Sequence, residues 1–337
     1  MSNIIPHLKG EMWAPITHPE KGRDVGHPLI YLQWGVRMRN LLLLCAIWMP
    51  VLAAECEQHL PLKTVVAQTQ PYLIKITERV ENPAALTDAS LRERFLANPK
   101  LVIGTGFIVS KEGEVVTADH VVRGMRDFEA RIRRAGTESR AMLGVTPSGI
   151  EVGGNTISGN SVVYPFQVMA EDGEHDLAIL RVVSGDILNP PRASMVVVNG
   201  KPVVSLHPRP ATISTKHLED GDEVYASGFP LDQDSPVTTV GTVASAWGTA
   251  VLANAQASGI NRESEVVDLD MRINSGNSGG PLSLYADQSV VGVVVEVRAG
   301  QASSGAVAVA VPVKYIKAFL DQNHIKWLPA KARPFAR

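Results

Sequence analysis

Short apolar segments bounded by turn residues constrain the fold of this chain more than any other feature. Each segment shows period-two alternation or a continuous Val-rich run, and Gly, Pro, Asn or Asp separates it from the next. Helical stretches do not alternate with these segments in the manner of βαβ units. The pattern therefore predicts an all-β fold, built as a pair of barrels or sandwiches. The segments are LVIGTGFIVS, GEVVTADHVV, SVVYPFQVMA, DLAILRVV, SMVVVNG, DEVYASGFP, VTTVGTVASAW, SEVVDLDMRI, VVGVVVEV and GAVAVAVPV.

Three stretches depart from the strand pattern. Residues 63–76 indicate either a strand or a helix that leads into one. Residues 82–99 have prolines near both ends and Thr87 as a candidate cap, and they predict a short surface helix or an inserted loop. Residues 313–325 predict an amphipathic C-terminal helix.

Composition excludes several classes of protein. With 337 residues, of which 45% are hydrophobic and 20% charged, the chain can bury the core of one large domain or two moderate ones. The formal net charge of −2 leaves no basic stripe of the kind that nucleic-acid binding requires. We therefore expect no nucleic-acid partner.

An export signal is predicted at residues 38–54. Arginines precede an apolar run that is too short to span a bilayer, and Ala53 and Ala54 follow it. A buried core helix is the alternative interpretation of this run. We interpret residues 1–37 as an extension upstream of the true start, and residues 55–337 as a mature periplasmic or secreted protein without a stable membrane span.

The two cysteines predict a chain without an intrachain disulfide. Cleavage after Ala53 or Ala54 removes Cys45 and leaves only Cys56. Neither the cysteine nor the histidine spacing predicts a metal site, and the sequence implies no organic cofactor.

The stretch INSGNSGGPL, residues 273–282, predicts the loop of a nucleophilic serine. Glycines at 276 and 279 permit a tight turn in which the N–H groups of Gly276 and Ser278 converge as an oxyanion hole. Taken alone, this stretch also fits a plain β-turn.

A base and its orienting acid are predicted at the ends of two strands. His120 follows the apolar segment GEVVTA, and Asp176 directly precedes LAIL. A buried aspartate at such a position can accept a hydrogen bond from an imidazole. Taken singly, His120 also fits a solvated histidine, and Asp176 fits a residue in the turn before a strand.

Together, the segments GTGFIVSKEGEVVTADHVV, DLAILRV, YASGFP, TVGTVAS and INSGNSGGPL resemble those of chymotrypsin-fold serine proteases of the HtrA/Deg kind, in the same order. The resemblance covers roughly residues 62–322. It implies two six-stranded antiparallel β-barrels, at about 62–185 and 186–312, with the active site between them. It also implies that His120, Asp176 and Ser278 form a catalytic triad that hydrolyses peptide bonds through an acyl-enzyme intermediate.

The resemblance carries expectations about regulation. An aspartate stands before the serine in zymogen-activated relatives, whereas this chain has Asn277, which cannot pair with a newly cut N-terminus. Members of the family usually append PDZ domains after the protease, and we expect none within this chain. HtrA-like trimers make a homo-oligomer an alternative to a monomer.

Specificity is left open between two interpretations of Arg272. By the resemblance, this residue stands at the floor of the pocket for the side chain before the scissile bond. It either points inward, where it favours acidic side chains or fills the pocket, or turns outward so that Ile273 lines a pocket for small aliphatic residues. The strand at 290–297, including Val294 and Val295, is expected to pair with extended substrate.

Two rivals to a protease remain at this stage. A chymotrypsin-fold protein can bind peptides as a chaperone without cleaving them, and an esterase can use the same triad. Residues 190–219 are longer than the usual connection, and they fit a hairpin, a partner-binding flap or an unconstrained surface insertion.

Overall fold

The structure is a computed structural model. It describes residues 60–145, 150–152, 155–157, 162–189, 197–198, 201–202, 208–233, 235–252, 259, 263–299 and 306–331. The predicted signal segment and the extension before it lie outside the described residues.

Four α-helices accompany the strands in the described part of the chain. They are α1 (Leu62–Thr69), α2 (Ala89–Ala97), α3 (Asp119–Arg134) and α4 (Val313–Gln322). Helix α1 runs through a short 3₁₀ turn into the first strand, which confirms the helix-to-strand alternative for residues 63–76.

Seven strands form the first sheet, which curls but leaves its two outermost strands without a hydrogen-bonded ladder between them. Its order is β7-β4-β1-β2-β3-β9-β8. The strands are β1 (Leu73–Val80), β2 (Lys100–Ile108), β3 (Val115–Thr117), β4 (Ser139–Val145), β7 (Val162–Tyr164), β8 (Phe166–Asp172) and β9 (Leu177–Val182). A separate hairpin pairs β5 (Ile150–Val152) with β6 (Asn155–Ile157).

The second sheet closes on itself. In the order β16-β13-β14-β15-β18-β17, the last strand pairs again with the first, so six strands make a barrel. These strands are β13 (Glu223–Gly228), β14 (Val237–Ala250), β15 (Ser264–Asp270), β16 (Pro281–Leu284), β17 (Val290–Ala299) and β18 (Ala306–Pro312). Two short strands extend this sheet beyond β17, namely β12 (Thr212–Ile213) and β19 (Leu328–Pro329). The predicted all-β class with a C-terminal helix is confirmed, and the second sheet is the expected six-stranded barrel. The first sheet differs from the expected six-stranded barrel, because it is a curled sheet of seven strands.

Burial of apolar side chains holds these layers together. One core cluster joins residues of both sheets with the inner face of α4, and a second fills the closed barrel. A third, smaller cluster lies beneath α2 and α3, where Val80, Leu86, Phe95 and Ile132 pack together. Helix α3 is thereby fixed against the first sheet, and this matters because α3 begins at the candidate active site.

Helix α3 corrects one prediction from the sequence. The segment GEVVTADHVV was predicted to be a strand through residue 122, but the strand ends at Thr117 and the helix begins at Asp119. Its apolar side chains, among them Val121, Val122 and Met125, are buried against the sheet, and tertiary packing thereby overrides the strand propensity of the valines.

The two other helix predictions are confirmed with shifted ends. Helix α2 lies within 82–99, but its cap is Asp88, whose carboxylate accepts hydrogen bonds from Ser90 N and Leu91 N, rather than Thr87. Helix α4 ends at Gln322, three residues before the predicted end.

The long connection at 190–219 contains a two-residue hairpin between β10 (Val197–Val198) and β11 (Lys201–Pro202). Most of residues 190–207 lie outside the described residues. From residue 212 the chain is part of the second sheet, because Ile213 pairs with Val290 of β17.

A buried glutamate on β1 makes the stability of this fold pH-dependent. Glu78 is 0% exposed, and the hydroxyl of Ser139, which lowers the pKa of its carboxyl, lies beside it. Burial, together with the negative charge of Glu129 on α3, raises the pKa of Glu78 from 4.5 to about 8. The folded protein therefore holds a proton that the unfolded chain releases between these two values.

We expect Glu78→Gln to become more stable than wild type as the pH rises from about 5 to about 8, because wild type loses at most about 1.4 kcal/mol per pH unit in this window. Urea unfolding at several pH values measures this difference. Glu93→Gln, on the exposed side of α2, removes the same charge without burial and serves as the control. Parallel pH profiles for Glu78→Gln and wild type would contradict the prediction.

Candidate active site

His120 lies in the first turn of α3, directly beyond the end of β3. Strand β3 pairs antiparallel with β9, and Thr117 is opposite Ala178. The residues just after β3 and just before β9 are therefore neighbours in space. This register brings His120 and Asp176 together although 56 residues separate them in the chain.

Asp176 holds His120 by two hydrogen bonds. Its Oδ2 lies 2.6 Å from His120 Nδ1, and its Oδ1 accepts a hydrogen bond from the backbone N–H of His120 at 2.8 Å. Asp176 is 2% exposed, whereas the imidazole is about one third exposed. The carboxylate therefore fixes a proton on Nδ1 and leaves Nε2 of the ring as the basic nitrogen.

The turn before Asp176 is built by a second aspartate and histidine. Asp172 Oδ1 accepts hydrogen bonds from the backbone N–H groups of Glu174 and His175, and its Oδ2 lies 2.7 Å from His175 Nδ1. The ring of His175 stacks on Tyr315 of α4, with the ring centroids 3.9 Å apart. These contacts support the left-handed backbone of Asp176, whose φ is +55°.

Ser278 reaches the same site from the second barrel. Its carbonyl oxygen accepts a hydrogen bond from Thr105 N on β2 at 2.9 Å, and its Oγ lies 3.5 Å from the carbonyl oxygen of Val295. The next residue, Gly279, lies against Thr117, the last residue of β3, and Ala118, which precedes α3. The serine is therefore placed beside the segment that carries the histidine.

The carbonyl groups of residues 275–278 all accept hydrogen bonds. Ser275 O accepts from Leu231 N at 2.9 Å, Gly276 O from Thr105 Oγ1 at 2.6 Å, and Asn277 O from Gly280 N at 2.9 Å.

Because the peptide bond is planar, a carbonyl held by a hydrogen bond also fixes the direction of the N–H group in the same peptide. In a trans peptide the N–H points opposite to the C=O. Because the carbonyls of Ser275 and Asn277 are held by hydrogen bonds, the orientations of the N–H groups of Gly276 and Ser278 in the same two peptides are fixed. This arrangement suits an oxyanion hole.

Asn277 is buried, and its Oδ1 has no hydrogen-bond partner among the described residues. It packs closely against Gly228, where an added Cβ would lie 2.7 Å from Asn277 Oδ1. The expectation that this residue precludes activation by N-terminal trimming stays a prediction.

The residues predicted for substrate binding differ in exposure. Arg272 is exposed, and Ile273 is half-buried against the core of the closed barrel. Val294 and Val295 are both buried, and the backbone of Val294 exchanges hydrogen bonds with Gly279 and Gly280. Val294 therefore holds the serine loop. The part of the β17 edge that this loop does not pair with begins at Val295.

Thr105 is a site residue that the sequence analysis did not identify. It is fully buried in β2, and it contacts both the loop of Ser278 and the segment after β13. The signal available in the sequence was a polar residue between two glycines in an otherwise apolar strand, GTGF.

Gly279→Ala tests how tightly the serine loop packs on the first sheet. A Cβ at this position would overlap Thr117 Oγ1 and the carbonyl oxygen of Thr105, and φ is +82°. We expect a loss of roughly 3 kcal/mol or more in the free energy of unfolding, from overpacking and left-handed strain together. Gly221→Ala is the matched control, since φ there is +90° and nothing lies within 4 Å of an added Cβ. Chemical unfolding measures the free energy of unfolding of both variants, and equal losses in the two would contradict the prediction.

Within the described residues, no His, Cys, Asp or Glu cluster is arranged to hold a metal ion. None of the described helices combines the length and apolar character that a bilayer crossing requires.

The two sheets, with a histidine, a buried aspartate and a glycine-flanked serine brought to their junction, define the class of trypsin-like folds. A family model described as the trypsin-like peptidase domain matches residues 104–293, and the chain belongs to this family.

Curated relatives narrow the class. "Protease Do-like 1, chloroplastic" of Arabidopsis thaliana is 25% identical over 219 residues, which cover 65% of this chain and 38% of the relative. "Probable periplasmic serine endoprotease DegP-like" of Chlamydia pneumoniae is 27% identical over 251 residues, covering 72% of this chain and 40% of the relative. The chain thus spans about two fifths of the length of these relatives. The resemblance to HtrA/Deg serine proteases is confirmed.

Among solved structures, one described as the HtrA-type protease AlgW with decapeptide aligns with a TM-score of 0.48 and 17% sequence identity. The alignment covers 79% of this chain and 68% of that chain.

Proposed function

We propose that this protein is a serine endopeptidase that hydrolyses peptide bonds of exported proteins, with unfolded or misfolded chains as its substrates. The observation that carries the proposal is the pair of hydrogen bonds from His120 to the buried Asp176, next to the loop that bears Ser278. Family membership and the relatives named as serine proteases support the reaction class.

In the proposed mechanism His120 acts first as a base. Its Nε2 takes the proton of the Ser278 hydroxyl while the oxygen attacks the peptide carbonyl, and Asp176 stabilises the imidazolium that forms. The imidazolium then gives its proton to the leaving amine. An acyl-enzyme remains on Ser278, and a water activated by His120 hydrolyses it.

The negative oxygen of each tetrahedral intermediate is stabilised by the N–H groups of Gly276 and Ser278. Because the neighbouring carbonyls are already held by hydrogen bonds, these donors need little reorganisation when charge develops. The rigid loop thus serves the transition state rather than the ground state.

Substrate recognition combines backbone pairing with an apolar pocket. Beyond Val294 the edge of β17 that faces away from β18 has no strand partner within the described residues, so an extended substrate can add to it. Since Arg272 is exposed and Ile273 packs on the apolar core, we expect small aliphatic side chains before the scissile bond. Export rests on the predicted signal segment and on the DegP-like relative, whose name describes it as periplasmic.

The test uses purified residues 55–337 with unfolded casein and a peptide library, and mass spectrometry locates the cuts. A fluorophosphonate probe, mapped in the same way, identifies the nucleophile. We expect cuts after small aliphatic residues, and covalent label on Ser278 that abolishes them.

Absence of both cuts and label would overturn the proposal in favour of a non-cleaving peptide-binding protein. Label with turnover of esters but not of peptides would indicate an esterase. Cuts after acidic residues would keep the protease and place Arg272 in the pocket.

A further inference from the structure

The Thr105 hydroxyl joins three segments at the candidate active site. It donates a hydrogen bond to the carbonyl oxygen of Gly276 at 2.6 Å and accepts one from the backbone N–H of Phe229 at 3.0 Å. The backbone N–H of the same residue donates to Ser278 O at 2.9 Å. Thr105 therefore contacts the serine loop at two peptides, through its side chain at Gly276 O and through its backbone at Ser278 O.

Phe229 begins the segment that holds the carbonyl of Ser275, the residue before Gly276. Two residues further, Leu231 adopts a left-handed backbone with φ of +54°, and its N–H donates to Ser275 O. Thr105 thus acts on the loop twice, directly through Gly276 and indirectly through the segment from Phe229 to Leu231.

The glycines of this region allow such a close approach. A Cβ at Gly104 would lie 2.7 Å from the side chain of Val121 and 3.1 Å from Ser278 O. At Gly276, where φ is +100°, a Cβ would overlap the carbonyl oxygen of Phe229. The backbones of β2, the serine loop and Phe229 therefore approach one another closely.

We propose that Thr105 is a positioning residue for catalysis, whose hydroxyl orients the Gly276–Asn277 peptide, which lies between the two peptides that carry the proposed oxyanion donors. This inference rests on the proposed protease function. Without the hydroxyl, the carbonyl of Gly276 and the N–H of Phe229 both lose a partner in a buried site. The Gly276–Asn277 peptide then keeps only the hydrogen bond from Asn277 N to Asn274 O at 3.1 Å, and its unpaired carbonyl favours rotation towards another donor.

Three substitutions separate the hydroxyl from the packing. Thr105→Val keeps the branched shape and removes the hydrogen bonds, Thr105→Ser keeps the hydroxyl, and Thr105→Ala serves if the valine variant does not fold. Assays measure kcat and KM for a casein-derived peptide, the rate of labelling by a fluorophosphonate, and the thermal midpoint.

We expect Thr105→Val to lower kcat by about 100-fold with little change in KM, because a misplaced oxyanion donor affects the transition state alone. Thr105→Ser is expected to recover most of the activity. A serine variant as impaired as the valine variant, a loss confined to KM, or an unchanged kcat for Thr105→Val would each overturn the inference.

Crystal structures of the variants give a readout that does not depend on turnover. The Gly276–Asn277 peptide is expected to turn in Thr105→Val and to keep its orientation in Thr105→Ser. An unchanged orientation of this peptide in Thr105→Val would contradict the positioning role, even if the protein cleaves peptides well. An inactive wild type would instead contradict the protease function, and the crystal structures would still decide whether the hydroxyl orients the peptide.

Discussion

If the proposed function holds, Ser278→Ala lowers kcat for peptide cleavage by roughly 10⁶-fold, as loss of the nucleophile does in serine proteases. The substitution removes one oxygen and leaves the Ser278 N–H and the held carbonyls of residues 275–277 in place. Substrate binding should therefore persist, and the residual rate reports the oxyanion hole without a nucleophile.

The measurement compares single-turnover cleavage and substrate affinity for wild type and Ser278→Ala. Ser184→Ala makes the same chemical change at an exposed turn of the first barrel, and it should retain wild-type activity. Cleavage by Ser278→Ala at a rate near that of Ser184→Ala would assign the nucleophile to another residue.

Asp176→Asn is expected to lower kcat by about 10⁴-fold while the fold is retained. Both carboxylate oxygens accept hydrogen bonds from His120, one from its backbone N–H and one from Nδ1. An amide offers only one oxygen. Either the backbone N–H loses its partner, or Nδ1 becomes the acceptor and the ring proton moves to Nε2, where it blocks the base.

Asp172→Asn is the matched control for this prediction. The carboxylate of Asp172 lies 2.7 Å from His175 Nδ1, a distance similar to that between Asp176 and His120. His175 stacks on Tyr315, however, and within the described residues it has no contact with the serine loop. We expect a far smaller loss of kcat than for Asp176→Asn. Equal losses for the two variants would mean that the turn, rather than the proton on Nδ1, governs the rate.

The contrast between β3 and α3 shows where local sequence signals mislead. The valine-rich segment GEVVTADHVV predicts a strand through residue 122, but the strand stops at Thr117. The amphipathic face of the following residues is buried against the first sheet, which stabilises a helix instead. His120 consequently projects from a helix N-terminus and not from a strand.

The sequence by itself determined the β architecture, and it supplied the proposal of a serine, a histidine and an aspartate for acyl transfer. Periodicity of apolar residues and turn glycines are local properties, and they are visible without a fold. Spacing in the chain could not give the contacts between distant segments, such as the role of Thr105 in the serine loop.

Only the tertiary structure decided that Arg272 is exposed, that Val294 holds the serine loop, and that a threonine of the first sheet hydrogen-bonds the loop of the second. These outcomes depend on which side chain faces which backbone once two sheets pack together. Hydrogen bonds between groups far apart in sequence set that geometry, and their partners exist only in the folded chain.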